Sequence, residues 1–330
     1  MNKKLLIKQI AVLLGIVMFF AALNGMIYVL LTRRLANNFS GTDQTKMIDL
    51  KQYLPFEKNS DLARIDTDFS ISGELPVLDG AAALVPVYAS VIDNVYPKGC
   101  VTYEGGSFSD DNLYGENFAD DSKMQYQNTI RGYKALVDGT VDIFFSAAPS
   151  DEQKEYAAEK NVELEYVPIG LEAFVFFVNK NNPVESLTIE QVKGIYSGKY
   201  RNWSDVGGAK RPINPVTRLK SSGSQSAMEK FMGDTGFARK SPLAVIGGSV
   251  GYSFRYYMDG MVGNKNVKMI ALNGIYPDKE NIRNGSYPVV MQFYAVYRAD
   301  NQNSNVPLLT EWLLSDEGQE LIEMTGYTRL

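Results

Sequence analysis

The chain has 330 residues, enough for two domains or one two-lobed domain with a sizeable core. A net charge of −5 with no basic stripe argues against a nucleic-acid partner. The absence of histidine and the single cysteine, Cys100, exclude Ser-His-Asp triads, His metal sites and any intrachain disulfide, and no motif calls for a metal or a cofactor.

At the N-terminus, Lys3, Lys4 and Lys8 precede an apolar run from Ile10 to Leu31, and Arg33 and Arg34 follow it. A run of this length spans a bilayer as a helix, and the basic flank favours an N-inside orientation. No small-residue cleavage site follows. The expectation is an uncleaved, single-pass membrane anchor over residues 1–34, with the remainder extracytoplasmic. Residues 35–73 are polar and mixed in charge, and read as an extracytoplasmic tether with one short strand at Asp68–Ile71.

The globular part is expected over 74–330. Leu75–Leu78 is a short apolar strand that runs into the small-residue turn Asp79-Gly80-Ala81-Ala82-Ala83. Leu84, Val87, Tyr88 and Val91 then keep helical spacing. Asp79 fits a turn or helix-start residue better than a catalytic acid. Gly99–Tyr126, rich in Gly, Ser, Asp and Asn, reads as an irregular surface excursion. Ile130–Val137 is helical, Gly139 ends it, and Val141–Phe145 is a buried strand opening into the loop Ser146–Ser150. Ser150 and Gln153 have capping-box spacing, as do Thr188 and Gln191. Val162–Val167 and Ala173–Val178 read as two strands. Trp203 fits a core anchor after a helix closed by Gly198. Tyr287–Tyr297 is a further strand, and Leu308–Met324 one amphipathic helix. Strands alternating with helices give a parallel or mixed α/β sheet.

The stretch from Arg218 to Met232 carries the chemistry. Ile213–Thr217 is a strand feeding the loop, and Ala227, Phe231 and Met232 recur at helical spacing. Ser222 is the expected N-cap, Gly223 allows a ligand to approach, and Ser224 adds a hydroxyl. Free N–H groups, the positive end of a helix dipole and the Arg218 guanidinium together make an anion site. The plainer alternative is a Ser/Gly loop that caps a helix, with Arg218 in solvent. Glu172, beside an apolar strand, either pairs with Arg218 or Arg255 or is a solvated carboxylate. The run Tyr252–Tyr257 either lines a cleft with Arg255 as a second anion donor or serves in packing.

Several motifs recur together and in order: Leu78-Asp79-Gly80 with Pro86; Gly139–Ile143 with Ser146 and Pro149; Ile195–Gly198 with Asn202-Trp203; Arg218 with Ser222-Gly223-Ser224; and Gly251-Tyr252. In this the chain resembles the solute-binding proteins of phosphate-type ABC transporters, in the type II periplasmic-binding-protein class. The resemblance covers about Leu75–Leu330. It implies two α/β lobes around a ligand cleft, with lobe 1 at about 74–168 and 289–330 and lobe 2 at about 169–288. The chain would cross between lobes near Pro168–Glu172 and Pro288. By the same resemblance the ligand residues are Ser146, Arg218, Ser222, Gly223 and Ser224, with the Ala81–Ala83 loop opposite. Ala81 and Ala82 stand where the family has hydroxyl side chains, and Ala147 where it has an aspartate. The implied function is capture of phosphate or a similar small oxyanion for ABC permease subunits. A sensor or binding module with a reduced anion site is the alternative on the same fold. An enzyme is not expected, because no nucleophile–base pair or metal cluster is visible.

Overall fold

The computed structural model describes residues 12–29, 50–106, 116–218, 223–238, 247–262 and 265–330. Helix α1, Val12–Val29, is long and apolar enough to cross a membrane, and none of it packs against the rest of the protein. Its one polar interruption, Asn24, donates one side-chain N–H to Phe20 O at 2.7 Å, within the helix.

Of the stretch 35–73 expected to be a tether, residues 35–49 lie outside the described residues, and the part from Leu50 onward is instead docked. A single 3-10 turn, Leu50–Tyr53, buries Leu50 and Tyr53, and Leu62 and Ile71 are buried further along. Asp68–Ile71 is not a strand. Strand β1 spans Leu78–Gly80, and helix α2 spans Val85–Val95. The extended chain before β1 uses the side chains of α2 as its hydrogen-bond partners. Ala63 N–H donates to Ser90 Oγ (3.1 Å), Ile65 N–H to Asn94 Oδ1 (2.9 Å), and Asn94 Nδ2 back to Ala63 O (2.8 Å). Phe69 stacks on Trp312, with ring centres 5.2 Å apart. Backbone groups satisfied by a helix face need no sheet ladder.

The remaining elements follow in chain order. They are β2 Tyr103–Gly106, β3 Glu116–Phe118, α3 Asn128–Val137, β4 Ile143–Ala147, α4 Asp151–Glu159 and β5 Leu164–Asn179. Next come β6 Ser186–Leu187, α5 Ile189–Tyr196, β7 Ile213–Pro215, α6 Gly223–Met232 and β8 Gly248–Phe254. The chain closes with β9 Val267–Leu272, α7 Lys279–Arg283, β10 Val290–Arg298, α8 Asn305–Leu314 and α9 Asp316–Met324. Both expected capping boxes form: Ser150 and Thr188 each accept from the N–H three residues on, and Gln153 and Gln191 reach back.

The main sheet runs β1-β4-β10-β5-β8-β7. Strand β5 joins its two halves. Up to Ala173 it pairs with β10; from Phe174 it pairs with β8 on one side and, from Phe176, with β9 on the other. The two strands expected at 162–167 and 173–178 are therefore one. Pro168 is accommodated because the register with β10 shifts between Phe293 and Tyr294, which relieves the ladder where the N–H is missing. Gly170 sits where any Cβ would strike the Phe293 ring.

Burial divides along the same line. One apolar core draws on the chain before Ile143, on Ile169 and on α8 and α9. A smaller cluster around Tyr133, Phe144 and Val296 lies on the other face of that half. A separate core runs from Ala173 to Tyr287 and includes Trp203, the expected anchor, whose Nε1 donates to Gly248 O at 2.9 Å. These are the two lobes. The C-terminal helix is two helices, because Ser315 takes an extended conformation and caps α9, accepting from Gly318 N–H.

Candidate anion-binding cleft

Between the lobes lies a cleft of about 60 Å3. By the space one water needs, that is room for roughly four to six water-sized atoms, the scale of one small oxyanion. Four helix starts meet it. Ala81, Ala83 and Leu84 precede α2; Thr129 and Ile130 begin α3; Ser150, Glu152 and Gln153 begin α4; Gly223 and Ser226 begin α6. First-turn N–H groups have no partner inside their own helix, and each start carries the positive end of a dipole.

The four starts are not equivalent. The α4 start carries Asp151 and Glu152, and Ser150 Oγ is engaged by Gln153 N–H, so its field and one donor are already answered. In α3 the left-handed Asn128 (φ 63°) folds its side chain back to accept from Ile130 N–H (3.1 Å) and Arg131 N–H (3.4 Å), so two of its first-turn donors are also answered, while Thr129 and Ile130 line the cleft. Ser146, at the carboxyl end of β4, is only 3% exposed and lines the cleft. Its hydroxyl makes no hydrogen bond among the described residues. A hydroxyl with no protein partner at the wall of a cleft is free to bond water or a ligand.

The structure thus brings Ala81, Ala83, Ser146, Glu172 and Gly223 to the cleft wall. Ala82 and Ser224 do not line the cleft, and Ser224 is buried. Ser222, expected to cap α6, falls outside the described residues. Arg218 is held beside the cleft rather than on its wall. Its N–H donates to Gln225 Oε1 (3.0 Å) and Tyr252 Oη (3.1 Å), and its guanidinium lies 5.8 Å from the centre of the Tyr257 ring. The Nε of Arg218 is buried with no hydrogen-bond partner.

Arg255 is not a second anion donor on the cleft wall. It donates to Gly326 O at 2.7 Å, tying lobe 2 to the C-terminal tail, and its Nε lies 3.7 Å from Glu172 Oε1. Of the pairings open to Glu172, this is the one that forms. Glu172 also accepts from Ala173 N–H (2.8 Å) and Tyr256 N–H (3.1 Å). Burial pushes its carboxyl up to about 7, against the opposing pull of Arg255.

Asp79 lies at the end of β1, fully buried, and is not on the wall. Its Oδ1 accepts from Gly80 N–H (2.6 Å) and Gln127 N–H (3.3 Å), while Oδ2 has no partner. It therefore positions both the Ala81 loop and the residue before α3. Burial raises it also to about 7.

Sequence reasoning missed most of the floor of the cleft. Met291 and Phe293 of β10 read from the sequence only as strand positions and nothing singles out Tyr327 of the tail, whereas Phe254 of β8 lies in the run Tyr252–Tyr257, for which cleft lining is one of the two readings. The α4 start was legible through Ser150 and Gln153, and α3 as a helical stretch from Ile130, but nothing in their spacing directs them to the same cleft as Gly223.

Comparison with known proteins matches residues 110–317 to the PBP superfamily domain. The chain belongs to that family. This PBP-superfamily chain is 26% identical over 186 residues to the phosphate-binding protein PstS of Bacillus subtilis (strain 168), covering 53% of this chain and 59% of that protein. It is 28% identical over 216 residues to PstS of Staphylococcus epidermidis, covering 59% and 66%. The match thus spans less than two thirds of either relative. Among solved structures, a putative phosphate ABC transporter substrate-binding protein with bound phosphate from Clostridium perfringens superposes with a TM-score of 0.55. The identity is 21%, over 77% of this chain and 99% of that one. An ABC-type phosphate transport receptor from Vibrio cholerae gives 0.52 at 20% identity, over 77% and 100%. These likenesses establish the two-lobed fold expected from the motifs.

Proposed function

We propose that this PBP-superfamily chain is a membrane-anchored, extracytoplasmic solute-binding protein that takes phosphate or a similar small oxyanion into its cleft and delivers it to ABC permease subunits. The observation that carries the reading is Ser146, a residue only 3% exposed that lines the cleft where the helix starts converge and whose hydroxyl has no partner among the described residues. The unpaired Nε of Arg218, five residues before the cleft-lining Gly223, supports it: lobe closure on a ligand would supply the missing acceptor. The relatives' names as phosphate-binding proteins point the same way. Binding and release, without turnover, is the role this donor set supports; nothing in it activates a nucleophile. The apolar helix α1 with its lysine flank supports the anchor.

A sensor or binding module with a reduced site is the second reading. It is favoured by one observation: among the described residues lining the cleft there is no lysine or arginine, while Glu152 brings a carboxylate.

Calorimetric titration of the full-length protein in detergent, with phosphate and then sulfate, tests both readings. We expect both anions to bind, with less than about tenfold discrimination. Ala147 leaves no carboxylate at the family's selective position, and helix-start donors serve either anion. Arg218→Ala should then cost roughly 2–5 kcal/mol of affinity. No binding of either anion would favour the second reading. Tight phosphate binding with sulfate excluded would show that Glu172 selects for a protonated oxyanion. External protease should release the globular part from membranes; full-length protein free in the medium would contradict the anchor.

A further inference from the structure

The cleft is two-sided. Its rim consists of helix starts and the Ser146 hydroxyl. Its floor is a patch of sheet in which Ala147 pairs with Phe293, and Met291 with Glu172. Residues two apart on a strand share a face, so Met291 and Phe293 point the same way, with Glu172 beside Met291. Phe254 and Tyr327 complete this floor.

Most of this floor is apolar, although Gln292, whose Oε1 accepts from Tyr294, also lines the cleft. Phe254, Met291 and Phe293 have no donor. Tyr327 Oη is already engaged with Ala83 O. Glu172 already accepts one backbone N–H at each oxygen, with the Arg255 guanidinium 3.7 Å away, and it brings negative charge rather than a donor when ionised. A charged oxygen set against Phe254, Met291 and Phe293 would lose its hydration, gain no hydrogen bond from them and lie near the Glu172 carboxyl. A short apolar group placed there would lose only water.

Resting on the proposed function of the cleft, we propose that its preferred ligand is an oxyanion carrying one short apolar substituent, with oxygens at the helix starts and the substituent on the Phe254–Met291–Phe293 floor. The size agrees: the cleft has room for about one small oxyanion, and replacing an oxygen by a methyl leaves the number of heavy atoms unchanged. Ala147 fits the same picture, since it turns a methyl toward Phe293 where the resemblance would place an aspartate.

Inorganic phosphate and methylphosphonate are the probes, because they differ by a single oxygen-to-methyl exchange. The full-length protein in detergent is titrated with each by calorimetry, at a pH where both are dianions. Methylphosphonate is expected to bind at least about fourfold tighter, the gain of one buried methyl group. Met291→Gln, which keeps the length of the side chain but makes the floor polar, should narrow that ratio. Ethylphosphonate should bind tighter than methylphosphonate to the unaltered protein, a comparison that does not depend on any variant folding. Phosphate binding as tightly as methylphosphonate, or tighter, overturns the inference and leaves the proposed function standing. A ratio unchanged in folded Met291→Gln overturns it as well. Failure of every probe to bind overturns the proposed function with it.

Discussion

Asp79 and Glu172 are two buried carboxyls in one protein, one inside lobe 1 and one where β5 passes between the lobes. Both are pushed up to about 7, for the same first reason, burial. Their surroundings differ. Glu172 has two backbone donors, Arg255 beside it and a place on the cleft wall. Asp79 has two backbone donors for one oxygen and none for the other. The same titration behaviour therefore says little about role. What separates the two is which elements each one joins: Asp79 ties two loops of a single lobe, whereas Glu172 and Arg255 tie strand β5 to lobe 2 and the C-terminal tail.

The largest test of that contrast is Arg255→Ala. It leaves Glu172 buried without its cation and frees Gly326 O. We expect a stability loss of about 3–5 kcal/mol at pH 8. At pH 5, where Glu172 holds a proton, the loss should be smaller. Urea denaturation at the two pH values measures it, and an equal loss at both would mean that the ion pair is not what stabilises the crossing.

Asp79→Asn should act in the opposite direction. For both acids the folded protein holds its proton at a pH where the unfolded chain has lost it. Stability is therefore highest below the unfolded values of 3.8 and 4.5 and falls as pH rises toward 7. Replacing Asp79 by the neutral amide removes its share of that fall. We expect about 1–3 kcal/mol of added stability at pH 8, limited because the new amide N–H still lacks a partner. The slope of stability against pH between 4 and 7 should also be shallower, with no matching change in Glu172→Ala protein carrying the same substitution beyond the sum of the two. An unchanged slope would show that Asp79 is not the buried acid that titrates.

The smallest effect compares the two capping boxes. Ser150→Ala and Thr188→Ala should each cost about 1 kcal/mol of stability, read as a drop in melting temperature. Only the first lies at the cleft, so only Ser150→Ala should also weaken anion binding, by less than about 1 kcal/mol because its hydroxyl already serves Gln153. Equal effects of both on binding would remove the α4 start from the site.

Those caps were legible in the sequence because a capping box is local: Ser150 with Gln153 and Thr188 with Gln191 state their own geometry. So were the turns at Gly139 and Gly198, both of which take left-handed backbone angles. The motif order around Arg218 and Gly251 was enough to anticipate the two-lobed fold. The misses are long-range. Leu50, Tyr53, Leu62 and Ile71 have no periodicity, because they follow the surface of α2 and not a helix or strand of their own. The continuity of β5 through Pro168 depends on a register shift in β10, more than a hundred residues away. The apolar cleft floor could not be told from core, since Met291 and Phe293 have the same alternation either way.

The docked segment beginning at Leu50 also fixes how far the globular part can stray. If α1 lies in a membrane, Val29 and Leu50 are separated by residues 30–49 alone, and twenty residues reach at most about 70 Å whatever their conformation. That short leash changes the chemistry of encounter from diffusion through a volume to search over a small patch. A partner in the same bilayer within reach would meet this protein at an effective concentration near the millimolar range, whatever the number of copies in the cell. The contact surface between them could then be weak, releasing as readily as it forms, and still be occupied much of the time.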